Sequence, residues 1–168
     1  LMKAREKREP LELDLPERKL VLDDKGKVLR VVTPLRLDAH KLIEECMLAA
    51  NVCASDYLQQ NQQPTLYRVH EGPTAEKLEA LRSMLKDFGL TLGGGDEPHA
   101  KDYAALLTRI KDQPYAGLLQ TVMLRSLRQA VYSPENVGHF GLAYEAYTHF
   151  TSPIRRYPDL LVHRAIKA

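Results

Sequence analysis

The sequence predicts a mixed α+β fold that is rich in helix and contains one β-hairpin and short strands. Two patterns predict this class. Apolar residues recur at helical spacing in several long stretches, and shorter stretches alternate apolar with polar residues, as strands do. A chain of 168 residues, of which 44% are hydrophobic, is long enough to form one domain with its own core.

The net charge of the chain argues against a strongly basic surface. It is +2, with a pI of about 8.5, whereas a domain that binds nucleic acid through its overall charge has a pI above about 9. Any anion-binding site must therefore depend on a small cluster of basic residues and not on the overall charge. No apolar run approaches the roughly 18 residues of a membrane span, and the charged first residues lack the apolar core of a signal peptide.

Two cysteines, Cys46 and Cys53, lie seven residues apart on a predicted helix. This spacing separates them by two turns, or ~10 Å along the axis, which is too far for a disulfide. We interpret them as reduced core residues. A reducing compartment follows from that interpretation, so a cytoplasmic location is predicted.

The N-terminal part of the chain predicts a short helix and a hairpin. Residues 2–8 are typical of the end of a charged helix. Lys19–Leu22 is predicted to pair with Val28–Val32, because the turn sequence "DDKG" separates two alternating stretches. We interpret Asp23 and Asp24 as turn residues rather than as paired catalytic carboxylates.

The rest of the chain predicts helices separated by short extended segments. Asp38 is a suitable N-cap for a long helix, and Pro158 is suited to the first turn of the last one. The predicted helices span about 38–59, 74–88, 102–111, 115–132 and 159 onward. The fourth helix is apolar around most of its circumference and is expected to be central. The segments "TLYRVHE" and "GHFGLAYEAYTHFTS" are predicted to be strands or extended core segments.

The helix from Asp38 contains a glutamate in an unexpected place. On a helical wheel the apolar residues cover about half of the surface, and Glu44, Asn51 and Ser55 cluster on a polar face. Glu45 falls instead beside the apolar stripe, where an unpaired carboxylate is costly. Two interpretations remain open: Glu45 pairs with a cation at the helix boundary, or it points into a site and accepts a hydrogen bond from a substrate hydroxyl.

Polar and cationic residues crowd the segment "THFTSPIRRYPD" near the C-terminus. Arg155 and Arg156 precede the last helix, and Thr151 and Ser152 add hydroxyl groups. A helix start offers unpaired N–H groups and a positive dipole end, and an arginine fork matches phosphate oxygens. The pattern fits an anion site, although a surface salt-bridge site has the same sequence pattern.

Three histidines of this region, His139, His149 and His163, do not have the spacing of a zinc site. We therefore predict no metal ligands from the histidines.

Long strings of the sequence resemble the catalytic RNB domain of the ribonuclease II/ribonuclease R family, and most closely its bacterial ribonuclease R branch. They are "RLDAHKLIEECMLAANV", "LYRVHEGPTAEKLEALR" and "RSLRQAVYSPENVGHFGLAYEAYTHFTSPIRRYPDLLVHRAIKA". The resemblance extends from the helix near Met2 to Ala168. It implies the helix-rich part of an RNB-type catalytic domain.

The resemblance also implies an activity. The family consists of processive 3′→5′ exoribonucleases that hydrolyse single-stranded RNA to nucleoside 5′-monophosphates with Mg²⁺. Its Mg²⁺ ligands are a cluster of aspartates near the start of the RNB domain, and no stretch here resembles that cluster. Residues 1–168 are therefore identified as a partial RNB domain that also lacks the flanking OB-type RNA-binding domains. We expect the isolated chain to be inactive.

Site residues follow from the matching motifs. The resemblance implies that Arg155 contacts the scissile phosphate as the catalytic cation and that Arg156 is the adjacent cation. It also implies that a glutamate of the "EECM" helix contacts the terminal ribose. We favour Glu45 over Glu44, because the wheel places it away from the polar face. Leu13 occupies the position of a base-stacking aromatic, which is a departure from the family pattern.

Two other interpretations remain open. The chain could be an RNA-binding or protein-interaction module that has lost catalysis. It could also be a structural fragment whose exposed core surface drives self-association. The expected partner is single-stranded RNA, and neither a membrane nor a small-molecule cofactor is expected.

Overall fold

The computed structural model describes residues 1–13, 18–35 and 37–168. Its class is mixed α+β, as predicted, with two small antiparallel sheets, β1–β2 and β3–β4. The elements in chain order are α1 (Met2–Arg8), β1 (Lys19–Leu22), β2 (Val28–Val32), α2 (Asp38–Gln60), β3 (Tyr67–Val69), α3 (Ala75–Asp87), α4 (Ala100–Ile110), α5 (Ala116–Ser126), β4 (Val131–Ser133), a 3-10 turn (Phe140–Leu142) and α6 (Tyr157–Lys167).

The predicted hairpin is confirmed with its bounds. β1 and β2 pair antiparallel, with Lys19 opposite Val32. Asp23 stabilises the turn, because its Oδ1 accepts hydrogen bonds from the backbone N–H groups of Lys25 at 2.9 Å and Lys27 at 2.8 Å. The apolar side chains of both strands remain largely exposed: Leu20, Leu22, Val28, Leu29 and Val31.

The helix predicted over 115–132 is too long. α5 ends at Ser126, whose Oγ donates to the carbonyl of Met123 at 2.6 Å, and Leu127 is already extended. The following residues form β4, which pairs antiparallel with β3. The sequence pattern missed this boundary because a short strand inside an apolar stretch has no periodicity of its own.

The segment 138–152 before α6 is predicted as strands or extended core; in the structure it contains isolated bridges and the 3-10 turn instead of a regular sheet, and most of its residues are half-buried. His139 bridges to His70, and Thr148 bridges to Tyr67. Thr148 is fully buried, and its hydroxyl donates to the carbonyl of Leu66 at 2.6 Å. These contacts fix the path of the chain into the last helix.

Two hydrophobic clusters support the fold. The larger cluster joins α3, α4 and α5, which confirms the central position of α5; it includes Leu81, Leu85, Tyr103, Leu106, Ile110, Leu119 and Met123. The smaller cluster joins α2 to α6 through Ala54, Leu58 and Val162. The smaller cluster matters for the candidate site, because it packs α2 against α6, the helix that follows the segment containing Arg155 and Arg156.

The buried face of α2 is not the face that periodicity predicts. The helix buries its polar residues Glu45, Asn51 and Ser55 together with Leu48, Ala54 and Leu58, whereas Leu42, Ile43, Met47 and Tyr57 are exposed. Cys46 and Cys53 are free thiols, as predicted, but they are exposed and do not lie in the core. The wheel failed because it assumed that buried positions are apolar, while the buried Glu45 and Asn51 have specific hydrogen-bonding partners.

Helix starts differ slightly from the prediction. Leu37 is the N-cap of α2, so Asp38 is its first residue and not its cap. The Nδ1 atom of His40 accepts a hydrogen bond from the Leu37 N–H at 3.1 Å. α6 begins at Tyr157, with Pro158 in its first turn.

Candidate functional site

A cavity of about 350 Å³ lies between α2 and the segment that leads into α6. Three of the predicted site residues, Glu44, Thr151 and Arg156, line this cavity. The other lining residues are His40, Ile43, Met47, Leu48, Asn51 and Tyr147. The cavity therefore combines an acid from α2 with a cation and a hydroxyl from the segment before α6.

Glu45 lies in a buried ion cluster with α1. Its side chain is 3% exposed and pairs with the guanidinium groups of Arg5 and Arg8. Arg5 also donates to Glu44 Oε1 at 3.1 Å and pairs with Glu12. Burial of Arg5 opposes its charge, but the hydrogen bonds to these carboxylates outweigh burial and raise the pKa of Arg5.

The two adjacent glutamates therefore occupy different environments. Glu45 has the cation-paired arrangement that was one of its two interpretations, and the buried pair joins α1 to α2. Glu44 lines the cavity. Of the two glutamates, Glu44 is therefore the one that lines the cavity while it also pairs with Arg5, and Glu45 is the more deeply buried.

Asn51 connects α2 to the segment before α6. Its Oδ1 atom accepts hydrogen bonds from the backbone N–H groups of Phe150 at 2.9 Å and Thr151 at 3.2 Å. Its Nδ2 group donates to the hydroxyl of Tyr147 at 2.8 Å. Asn51 is 3% exposed, so water has little access to these hydrogen bonds.

Asp159 holds the same segment from the side of α6. Its side chain is fully buried, and its Oδ1 atom accepts from the Ser152 N–H at 2.8 Å and from Arg156 Nη2 at 2.7 Å. Three buried polar atoms nearby have no hydrogen-bond partner among the described protein groups: Thr151 Oγ1, Arg156 Nε and Asp159 Oδ2. Buried polar atoms of this kind are usually satisfied by water or ligand.

Arg155 and Leu13 lie outside the small cavity. Arg155 is exposed, and its Nη2 group donates to Ser152 Oγ at 3.3 Å. Its guanidinium is therefore directed by a local contact and remains accessible to an anion. Leu13 is half-buried and packs against the larger hydrophobic cluster.

A second cavity, of about 830 Å³, lies beside the 3-10 turn. Its lining includes Arg8, His70, Lys101, His139 and Tyr144. The Arg8 guanidinium stacks 4.3 Å from the centre of the Tyr144 ring, and Tyr144 stacks on Tyr147. These contacts connect the lining of the two cavities.

His139 and His149, in the segment before α6, are half-buried and uncharged at neutral pH. Burial lowers the pKa of His139 to about 4, and the neighbouring His70 adds to this effect. Burial likewise lowers the pKa of His149 to about 4, with a further contribution from Arg156. The hydroxyl of Tyr132 lies 2.7 Å from His149 Nδ1.

The lowered pKa values of His139 and His149 predict that the folded state loses stability in acid. Unfolding exposes His139 and His149, which then take up protons below the ordinary pKa of about 6.5. The free energy of unfolding should therefore be fully retained above about pH 6.5 and should fall as the pH decreases towards about 4. Urea unfolding at about pH 7 and about pH 5 measures this loss.

A double variant, His139→Gln with His149→Gln, should lose less stability over the same pH range. His40→Gln, at an exposed position, is the control and should keep the wild-type pH dependence. An unchanged pH dependence in the double variant would show that these rings do not cause the acid sensitivity.

No metal-binding arrangement was found within residues 1–13, 18–35 and 37–168, where no group of three or more His, Cys, Asp or Glu side chains could hold an ion. In the same ranges, no helix has the length and apolar character needed to cross a membrane.

Sequence reasoning missed the residues that organise the cavity. Asn51 falls on the predicted polar face of α2, and the last helix is predicted from residue 159 onward without a site role for Asp159. A signal was present for Asp159, which lies three residues after Arg156 at the start of α6, the spacing of an i,i+3 pair. No sequence pattern indicated that Asn51 would bond to residues almost a hundred positions later.

The sequence matches a known protein family and several curated relatives. A family model described as "RNB domain" matches residues 1–168. The chain is 49% identical to Ribonuclease R of Escherichia coli (strain K12) over 167 residues, which are 99% of this chain and 20% of that protein. The chain thus spans about a fifth of the length of the curated relatives it matches.

Solved structures show the same fold. Mycoplasma genitalium RNase R in complex with ribose methylated single-stranded RNA superposes with a TM-score of 0.92 and 31% identity, covering 98% of this chain and 26% of that chain. Yeast Ssd1, a pseudonuclease, superposes with a TM-score of 0.68 and 26% identity, covering 80% of this chain and 17% of that chain.

Proposed function

Because the chain belongs to the RNB domain family, we propose that it forms part of the catalytic domain of a ribonuclease. The proposed reaction is processive 3′→5′ hydrolysis of single-stranded RNA to nucleoside 5′-monophosphates. The observation that carries this proposal is the cavity in which Glu44 of α2 lies with Arg156 and Thr151. The RNA-bound relative from Mycoplasma genitalium supports RNA as the ligand class.

Arg155 is the proposed catalytic cation. It is exposed and is oriented by Ser152, while Arg156 is held by the buried Asp159. The difference suits two roles: Arg156 fixes the segment, and Arg155 stays accessible to the scissile phosphate. A cation placed where negative charge develops stabilises the transition state.

Glu44 is the proposed ribose contact. A carboxylate accepts a hydrogen bond from the 2′-hydroxyl, the group that distinguishes RNA from DNA. Arg5 donates to Glu44 at 3.1 Å, which restricts the position of the carboxylate. The buried Glu45 supports this arrangement through the same arginine.

Mg²⁺ is part of the proposed activity, but the described residues do not fit a Mg²⁺ site. We therefore propose that its ligands come from outside these 168 residues and that the isolated chain is inactive. A cytoplasmic location is proposed with this function. Self-association of the isolated chain is proposed from the exposed apolar residues of the hairpin and α2.

The second candidate function is an RNA-binding or protein-interaction module without catalysis. The likeness to the pseudonuclease Ssd1 favours it, because this fold is found in a protein described as lacking nuclease activity. Hydrolysis of RNA separates the two candidates.

The experiment compares RNA and DNA hydrolysis by a polypeptide of the relatives' full length that carries this sequence. The wild type should release nucleoside monophosphates from RNA and discriminate against DNA. Glu44→Ala should lose about 10- to 100-fold of this discrimination, the effect of one hydrogen bond to a charged group. Glu45→Ala should lower stability and leave the discrimination of the folded enzyme intact.

Asp56→Ala, at an exposed position on the same helix, is the matched control and should behave as the wild type. A wild type that releases no monophosphates would contradict the proposed function. Unchanged discrimination in Glu44→Ala would contradict the role of Glu44 alone.

A further inference from the structure

We propose that Asn51 is a positioning residue that sets the spacing between the ribose side and the phosphate side of the site. The inference rests on the proposed function, in which Glu44 contacts the ribose and Arg155 the phosphate. Asn51 is on the same helix as Glu44, and it bonds directly to the segment that carries Arg155.

The hydrogen bonds of Asn51 permit only one orientation of its amide. The backbone N–H groups of Phe150 and Thr151 can only donate, so the atom that faces both must be the oxygen. The Nδ2 group must then donate to the Tyr147 hydroxyl, which acts as the acceptor. A residue with this fixed, buried set of bonds holds the position of the backbone at residues 150 and 151.

The neighbours of Asn51 strengthen this restraint. Tyr147 is 4% exposed, and burial raises the pKa of its hydroxyl, so the hydroxyl is neutral at physiological pH. The Tyr147 ring stacks on Tyr144 with an interplanar angle of 2°. Asn51 thus binds a side chain that is itself held by packing.

Two residues of a different helix also hold the segment. The His163 ring stacks on Phe150 with centroids 4.2 Å apart, and its Nε2 bonds to the Phe150 carbonyl at 3.0 Å. Asp159 accepts from the Ser152 N–H. His163 and Asp159 both lie on α6, whereas Asn51 lies on α2, so Asn51 relates the segment to Glu44.

The helix between Glu44 and Asn51 acts as a rigid spacer. Seven residues of α-helix span two turns, or roughly 10 Å. Loss of the Asn51 hydrogen bonds would leave Arg155 and Glu44 chemically unchanged. The distance between their side chains would no longer be fixed. A misplacement of about 1 Å can reduce turnover by roughly 100-fold.

The test is a double-mutant cycle in the full-length polypeptide described above, with the single-turnover rate of RNA hydrolysis as the readout. Asn51→Ala should lower the rate by about 10- to 100-fold. Combined with Arg155→Ala, it should add little to the loss caused by Arg155→Ala alone, because Asn51 acts through the position of Arg155. A purely structural role would not produce this non-additivity.

Two variants serve as graded controls. Ser55→Ala removes a buried hydroxyl, one turn further along α2, that has no hydrogen-bond partner among the described residues, and it should leave the rate unchanged. Tyr147→Phe leaves both backbone bonds of Asn51 in place and should have a much smaller effect than Asn51→Ala. If Asn51→Ala does not fold, Asn51→Leu, which has a similar volume but no acceptor for the two backbone N–H groups, replaces it in the same cycle.

Additive losses in the cycle would overturn the inference, as would an unchanged rate in Asn51→Ala. If Arg155→Ala by itself left the rate unchanged, the proposed role of Arg155 would fail instead. The two failures are therefore distinguishable.

Discussion

Arg155→Ala in the full-length polypeptide should lower the turnover number for RNA by about 100- to 1,000-fold, the usual effect of removing one charge-stabilising group. RNA affinity should change much less, because many backbone contacts share the binding energy. The exposed Arg155 guanidinium, oriented by Ser152, is the basis for this expectation. Turnover and the dissociation constant should be measured separately, by steady-state kinetics and by equilibrium binding with inactive substrate analogues.

Two further variants, Arg155→Lys and Arg128→Ala, test whether the loss of turnover is specific to the guanidinium group of Arg155. Lysine keeps the charge but not the planar fork, so its turnover should lie between those of the wild type and Arg155→Ala. Arg128 pairs with Glu71 at an exposed position, and its replacement should have little effect. If affinity fell and turnover did not, Arg155 would only bind the RNA backbone.

Asp159→Ala should lower the free energy of unfolding by about 3–5 kcal/mol, because it leaves the partly buried Arg156 without its counter-charge. Asp159 is 0% exposed and also accepts from the Ser152 N–H. The substitution therefore removes both a charge pair and the anchor of the segment that carries Arg155. Urea denaturation at neutral pH measures the loss.

Asp38→Ala is the matched control, since that carboxylate is fully exposed beside Lys41. It should change stability far less than Asp159→Ala does, because exposed ion pairs contribute little. A similarly small change in Asp159→Ala would mean that the segment before α6 is held by its other contacts, Asn51 and His163.

Local patterns predicted much of the fold. The hairpin was predicted to the residue, because "DDKG" supplies its own turn hydrogen bonds through Asp23. The end of α5 was missed, because pairing between β3 and β4 depends on residues more than sixty positions apart. Local periodicity carries no information about such pairing.

Local motifs also predicted some of the residues that line the cavity, but not their long-range partners. Thr151 and Arg156 are predicted from motifs, and Glu44 is the less favoured of two candidate glutamates; the structure brings all three together in one cavity. The buried face of α2 was predicted wrongly, because Glu45 and Asn51 are stabilised by Arg5 and by the backbone at residues 150 and 151. These partners are distant in sequence, so a helical wheel cannot include them.

In the proposed function, this chain supplies only part of the catalytic site. The described residues provide cations, a carboxylate and a rigid segment to hold them, but no set of metal ligands. We propose that these residues contribute the phosphate and ribose contacts of a Mg²⁺-dependent ribonuclease and that they are not sufficient for catalysis.

The most direct test is a side-by-side assay of the purified 168-residue chain and a polypeptide of the relatives' full length that carries it. Both are incubated with a poly(A) oligomer and Mg²⁺, and released nucleoside 5′-monophosphates are quantified by chromatography. We predict Mg²⁺-dependent release by the longer polypeptide and none by the 168-residue chain. Mg²⁺-dependent release by the 168-residue chain would contradict the account.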